Sequence, residues 1–323
     1  MPALLNRLLP LAAALLLAAL PGVLSPYLQD LVLRIMVLAV FALSLELLVG
    51  TTGLVSLGHA AFYGIGAYAT VMLSPEYEAG NLALLLPAAM GAAALYALLV
   101  GALSLRTKGV YFIMVTLAFA QMAYFVFHDT KFGGGTDGIY LNVRPVLGLG
   151  GQELLNLDDK RQLYWLTLAA LVATYAALAL IRRSRFGHAL AGIRVSEQRL
   201  RAAGFATTLY KLAAFVIAGA FAGLAGFLVA AKDGFVNPEM LSWHESGAVL
   251  LVIILGGLGS LRGAVIGAAS FVLLKEALST PALVGPLLSE RWQLTLGFAV
   301  IACVALLPKG IVGLARARPG DQP

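Results

Sequence analysis

Residues able to do covalent chemistry are few in this chain and stand apart from one another. The four histidines, His59, His128, His188 and His244, fall on different segments; no His-Glu-x-x-His sequence occurs, and neighbouring positions suggest no Ser/His/Asp grouping. Cys303 is the single cysteine, so it forms no bridge within the chain and suggests no thiolate metal site. There is no Gly-Lys pair, hence no P-loop to cradle a nucleotide. The expectation is a protein that is not an enzyme, with no catalytic residue, no metal and no cofactor bound by this chain.

A second kind of chemistry is ion coupling. A carrier driven by a proton or sodium gradient holds acidic residues or broken-helix carbonyls at mid-depth in the membrane. Only Glu46, near the inner end of the second apolar run, and Glu276, late in the ninth beside Lys275, stand where that role would need them. Both look near enough to an interface to be solvated, and Arg34 can snorkel outward. His59 falls inside an apolar run, where it reads either as a hydrogen-bonded packing residue or as a substrate ligand.

The elements that must position these residues follow from composition. Apolar residues make up 60% of the 323 and charged residues 12%, with a mean hydropathy of +0.90, against roughly half and a quarter in a soluble domain. That excess matches about nine or ten membrane-spanning helices of ~20 residues and excludes disorder, collagen, coiled coil and a disulfide scaffold. The net charge of +6 is concentrated between Arg182 and Lys211, where seven cations face the single acid Glu197 (7 − 1 = +6), so the rest of the chain sums to zero. A basic segment bracketed by apolar runs obeys the positive-inside rule, which is a simpler reading than nucleic-acid binding.

Apolar runs between polar breaks give spans near 8–24, 31–49, 54–73, 82–104, 109–127, 162–181, 212–231, 246–256, 263–280 and 291–307. With the N-terminus inside, the basic loops at Arg106 and Lys108, at 182–211 and at 308–323 all fall inside, and the acidic ones at 76–78, 128–161 and 232–245 fall outside. The expected fold class is therefore an all-α polytopic membrane protein of about ten transmembrane segments, re-entrant or broken helices among them, with both termini cytoplasmic. Its expected organisation is one permease domain over 1–314, a cytoplasmic loop within it at 182–211, and a short basic tail at 315–323. Residues 1–20 fit a cleavable signal peptide or a retained first span, and the retained span agrees better with the loop parity. The stretch 246–280 fits two crossings or a re-entrant hairpin, whereas one continuous crossing would put the basic tail outside.

Two apolar stretches are cut by glycine. Gly50 to Tyr68 reads GTTGLVSLGHAAFYGIGAY, and Gly256 to Gly263 reads GGLGSLRG. Neither is a dinucleotide loop, which would need a strand before it and a βαβ unit around it. In lipid, glycine lets backbones approach closely and lets a helix break where it lines a cavity. The residues expected along a translocation path are therefore Gly53, Ser56, Gly58, His59, Gly64, Gly256, Gly257 and Gly259, with tight helix packing as the alternative, which suits Gly53 and Gly64 best. Paired broken segments in the two halves also point to a repeated transporter architecture. Gly219 and Gly223 read as a helix-contact face.

The basic loop carries more than charge. Phe186, Leu190 and Ile193 recur at helical spacing, and Ser196 as N-cap, Glu197 in the first turn and Gly204 as a stop mark a second short helix. Two short exposed helices make a docking element rather than a linker.

These stretches, together with RSRFGHALAGIRVSEQRLRAAG from Arg183 to Gly204 and PKGIVGL from Pro308 to Leu314, resemble the LivM type of permease from branched-chain amino-acid ABC importers. The likeness runs from about residue 30 to 314 in family order. It includes Gly134-Gly135-Thr136-Asp137-Gly138, similar to the family's Gly-Gly-x-Asp-Gly element, and it departs at Val195-Ser196, where the family has Glu-Asn. The resemblance implies a multi-pass permease of a bacterial inner membrane. It would pair with a LivH-like second permease, two cytoplasmic ATPases that carry ATP and Mg, and an external solute-binding protein. It also implies that Arg185, Phe186, Gly187, Leu190, Ile193, Arg194, Glu197, Ala203 and Gly204 couple the permease to an ATPase. Cargoes in related systems include leucine, isoleucine and valine, but also urea, short amides and aromatic acids. An ion-coupled secondary transporter of a small solute is the alternative.

Overall fold

The computed structural model describes residues 14, 16–22, 24–149, 152–281, 285, 290–307 and 310–314. Residues 8–13, 15 and 23 of the expected first span at 8–24, the Pro308-Lys309 pair and the tail at 315–323 lie outside these residues.

Ser25 starts the first long helix, its side-chain oxygen accepting from the Leu28 N–H, and Pro26 takes the first helical position, where a missing N–H leaves nothing unsatisfied. This helix, α1 (Pro26–Glu46), runs on through a π-helical turn at Leu47–Thr52 and stops at Gly53, whose φ of +76° lies in the left-handed region. Residues 53–58 are not helical, and the chain resumes as α2 (His59–Leu73). The expected continuous span over 54–73 is thereby corrected. The Gly53 turn ends one helix, and Ser56 Oγ takes the Gly58 N–H at 3.2 Å, holding the chain out of the next. At 15 residues α2 is about 22 Å long, shorter than the ~30 Å hydrocarbon core of a bilayer.

Then come α3 (Leu82–Ser104), capped by Asn81, and α4 (Val110–Asp129). Asp159 caps α5 (Lys160–Arg183), and Ser184 ends it while accepting from the Gly187 N–H at 3.3 Å to start α6 (Arg185–Ala202). Among the described residues the remaining long helices and the short last one are α7 (Thr207–Asp233), α8 (Trp243–Gly256), α9 (Leu261–Ser279), α10 (Trp292–Leu306) and α11 (Gly310–Leu314). Five of these, α1 with its π turn, α3, α4, α5 and α7, are each long and apolar enough to cross a membrane, and α8–α9 would be a sixth if taken as one span. That pair bends by 113°, so it turns back on itself rather than running straight through.

Burial singles out α1 and α7 as the centre: 78% and 67% of their apolar windows are buried, against 28% for α3 and 22% for α4, whose outer faces stay open. α7 packs on α1, α2 and α3, while α1 also packs on α5, α8 and α9. Small residues make these approaches possible. A side chain at Gly219 would collide with Ala97 and one at Gly223 with Ala93, both on α3, as the contact-face reading of Gly219 and Gly223 requires.

One end of the bundle wears a small β cap. β1 (Ile139–Tyr140) pairs antiparallel with β4 (Phe235–Val236), and β2 (Val146–Leu149) with β3 (Gln152–Asn156). Arg144 reinforces it, donating to the Ala231 carbonyl at 2.9 Å at the end of α7 and to Asp158 at 2.8 Å. α6 and both glycine breaks occupy the opposite end, joined there by the arginines described next.

Candidate functional site

α6 is two helices in sequence. Ser196 has φ −161° and ψ 99°, outside helical space, so the chain kinks there; its hydroxyl accepts from the Arg199 N–H, and the second helix ends before Gly204 at φ +86°. The segment is fastened to the bundle by its apolar face. Leu190 is fully buried, Ile193 nearly so, Phe186 stacks on Tyr210 with ring centres 5.6 Å apart, and a side chain at Gly187 would overlap the Ile181 carbonyl. The second helix is tied to α7 by charge: Glu197 accepts from Lys211 Nζ at 2.6 Å, from Arg201 at 2.8 Å and from Thr207 Oγ1 at 3.2 Å. Partial burial alone would raise the Glu197 pKa, but the Lys211 hydrogen bond and charge outweigh it and hold the carboxyl below its ordinary value of 4.5.

Of the residues expected to couple, Phe186, Gly187, Leu190, Ile193 and Glu197 therefore grip the permease itself. Arg185, Ala203 and Gly204 face outward, and so does Val195, 76% exposed, while the partly exposed Phe205 lies beside Tyr210 with ring centres 6.0 Å apart. The exposed side of α6 is the one opposite the apolar stripe.

Arg194 reaches back into the bundle, its Nη1 donating to the Gly50 carbonyl in the π turn, and Arg182 donates to the Gly259 carbonyl at 2.8 Å. Two cavities flank Arg194. One of about 330 Å³ lies between Thr52–Val55, the 107–113 turn and α6, with Lys108, Glu197 and Lys211 on its wall; the other, about 540 Å³, is bordered by Gly50, Thr51, Arg182, His188 and Gly259. Gly53 and Gly259 thus edge open space.

The other residues expected along a path are packed. Ser56 and His59 are fully buried, a side chain at Gly58 would collide with the Thr116 carbonyl, one at Gly64 would crowd Leu241, and one at Gly256 would overlap the Gly263 carbonyl. Gly257 closes α8 with φ +113°. His59 lies between Phe41, stacked at 5.5 Å, and the edge of Phe62, and its Nε2 is 2.8 Å from Ser44 Oγ. That hydroxyl donates to the Phe41 carbonyl at 2.6 Å, so the imidazole supplies the proton of the Ser44 contact.

Glu46 is fully buried, which corrects the expectation of a solvated carboxylate near an interface. The physical reason is Gly50, one turn on, whose missing side chain leaves the space that the carboxylate occupies. Glu276 is bonded by the Tyr27 hydroxyl at the capped end instead. Ser44, Ser246 and Arg182 carry polar contacts that no local pattern in the sequence marks, because their partners are far along the chain.

The comparisons with known proteins agree with this frame. Residues 27–305 match a family described as the permease component of the branched-chain amino acid transport system. The chain is 32% identical to the high-affinity branched-chain amino acid transport system permease protein LivM of Escherichia coli (strain K12), over 96% of this chain and 76% of the relative. It is 31% identical to LivM of Salmonella typhimurium (strain LT2) over the same shares, and 25% identical to the E. coli K12 permease LivH over 85% of this chain and 91% of that one. No solved structure matches the chain.

Proposed function

Because the chain belongs to the family of permease components of branched-chain amino-acid transport systems, a membrane family and not an enzyme family, we propose that it forms a translocation path with a LivH-like second permease. Two cytoplasmic ATPases, which carry ATP and Mg, drive the pair, and an external binding protein selects leucine, isoleucine or valine. The observation that carries this reading is α6: two short helices gripping the bundle by one face and offering Val195 on the other. That is the shape of a part pushed from outside the membrane. The β cap gathers the loops expected outside and the arginines gather those expected inside, which supports the orientation with cytoplasmic termini, and the likeness to bacterial LivM supports a bacterial inner membrane.

The test is reconstitution. The chain, its partner permease and the two ATPases in lipid vesicles, with the binding protein added on its own side, should accumulate labelled leucine only when ATP is supplied. Uptake that survives an uncoupler supports the importer. Uptake that collapses with an uncoupler at constant ATP favours an ion-coupled carrier, and competition by urea, short amides or aromatic acids would reassign the cargo.

A further inference from the structure

If ATPases act on α6, the push must reach two glycine breaks that lie on other helices. Arg194, on α6, holds the Gly50 carbonyl inside the π turn of the first break. It flanks the second as well, since a side chain begun at Gly259 would stand 3.7 Å from the same Nη1. Arg182, at the end of α5 and directly before α6, holds the Gly259 carbonyl at 2.8 Å. Within reach of both guanidinium charges lies the buried carboxylate of Glu46, with the amides of Gly259 and Ser260 beside it; among the described residues neither of its oxygens has a well-formed hydrogen bond.

A buried carboxylate is strongly unfavourable without facing positive charge. Arg182, half-buried, and Arg194, exposed, supply that charge to Glu46 while they spend their hydrogen bonds on backbone carbonyls. Arginine suits this task because its planar group presents several donors in a fixed fork and stays charged. π turns occur often at functional positions, where the loosened ladder frees carbonyls for other partners, as Gly50 is freed here. The cavity of about 540 Å³ beside Arg182 and Arg194 leaves room for α6 to shift.

From these contacts we infer that Arg182, Arg194 and Glu46 form a latch that makes the Gly50 and Gly259 breaks move with α6 as one unit. The latch rests on the transport reading above and adds to it the positioning residues that carry motion from α6 into the bundle.

The test measures ATP hydrolysis and leucine uptake in the same vesicles of the reconstituted complex, for wild type, Arg182→Gln, Arg194→Gln and the double variant. The expected result is binding-protein-stimulated hydrolysis within about twofold of wild type, leucine moved per ATP lowered tenfold or more in each single variant, and a double variant no worse than either. Arg194→Lys, which keeps the charge and one donor, should restore part of the ratio. Hydrolysis and uptake falling in equal proportion, or two single effects that multiply, would overturn the latch. Should the double arginine variant fail to assemble, adding Glu46→Gln should restore assembly because the unpaired carboxylate is gone; continued failure would remove Glu46 from the latch. Wild-type vesicles in which ATP drives no uptake would overturn the transport reading, and the latch with it; wild-type coupling with indifferent variants overturns the latch alone.

Discussion

Ser246, on α8, accepts a hydrogen bond from the backbone N–H of Ala60 at 2.8 Å, and both residues are fully buried. Ala60 is the second residue of α2, a helix whose own N-cap is Gly58 and supplies no side-chain oxygen. A residue far along the chain therefore caps the helix that follows the first glycine break. Ser246→Ala should strand that donor and destabilise the protein by about 1–2 kcal/mol, read as a lowered Tm of the purified complex, while Ser246→Thr keeps the oxygen and stays near wild type. An unchanged Tm for Ser246→Ala would show that α2 needs no cap there.

His59 and Ser44 should behave as a coupled pair. Ser44→Ala leaves the imidazole N–H without a partner in an apolar box, a loss of about 1–3 kcal/mol. Adding His59→Phe removes the orphaned donor and keeps the stacking on Phe41, so the double variant should be more stable than Ser44→Ala alone. Additive losses would mean that the bond is not what links the two positions.

Gly58 separates packing from path lining. Any side chain there meets the Thr116 carbonyl on α4, so Gly58→Leu should lower the amount of assembled complex by strain worth about 1–3 kcal/mol, while surviving complexes transport at the wild-type rate. Normal assembly and ATP hydrolysis without leucine accumulation would instead put Gly58 on the path.

Glu197 gives a pH prediction with a definite sign. A carboxyl whose pKa is lower folded than unfolded adds stability that is fully present above its ordinary value, 4.5, and is lost as the pH falls through the folded value. The junction between α6 and α7 should therefore be indifferent to pH around neutrality. Glu197→Gln should lower the Tm at neutral pH by the equivalent of about 1–2 kcal/mol, and the gap to wild type should shrink only under acid conditions well below 4.5. A gap that instead narrows between pH 8 and 6 would assign the effect to another group.

What the sequence made legible was local. Ser196 and Gly204 mark the kink and the stop of α6 because a cap acts on its nearest neighbours, and the spacing of Phe186, Leu190 and Ile193 gives away an apolar stripe. The stripe does not say which body it meets, and the structure turns it toward the permease's own core. The run Leu47-Leu48-Val49 continues the apolar pattern of α1 without a mark, so the π turn there is invisible to periodicity. It coincides with contacts to Arg194 and with the placement of Glu46 over Gly50. The two-residue strands of the β cap are too short to leave any alternation to read. Nine of the ten expected segments correspond to helices whose bounds fall within about five residues of those expected, because length and hydropathy are properties of the segment itself.

The burial of Glu46 also sets a timetable for the making of this protein. A ribosome adding about 5–20 residues per second reaches Arg182 (182 − 46 = 136 residues later) roughly 7–27 s after Glu46. Throughout that interval the nascent first helix carries an acid whose countercharges do not yet exist, and no hydrophobic helix holds a bare charge in lipid without penalty. The contacts that tie the end of α1 to Arg182 and Arg194 can therefore form only after α5 and α6 have been synthesised. The most buried helix of the bundle is among the first to be made and among the last to be finished.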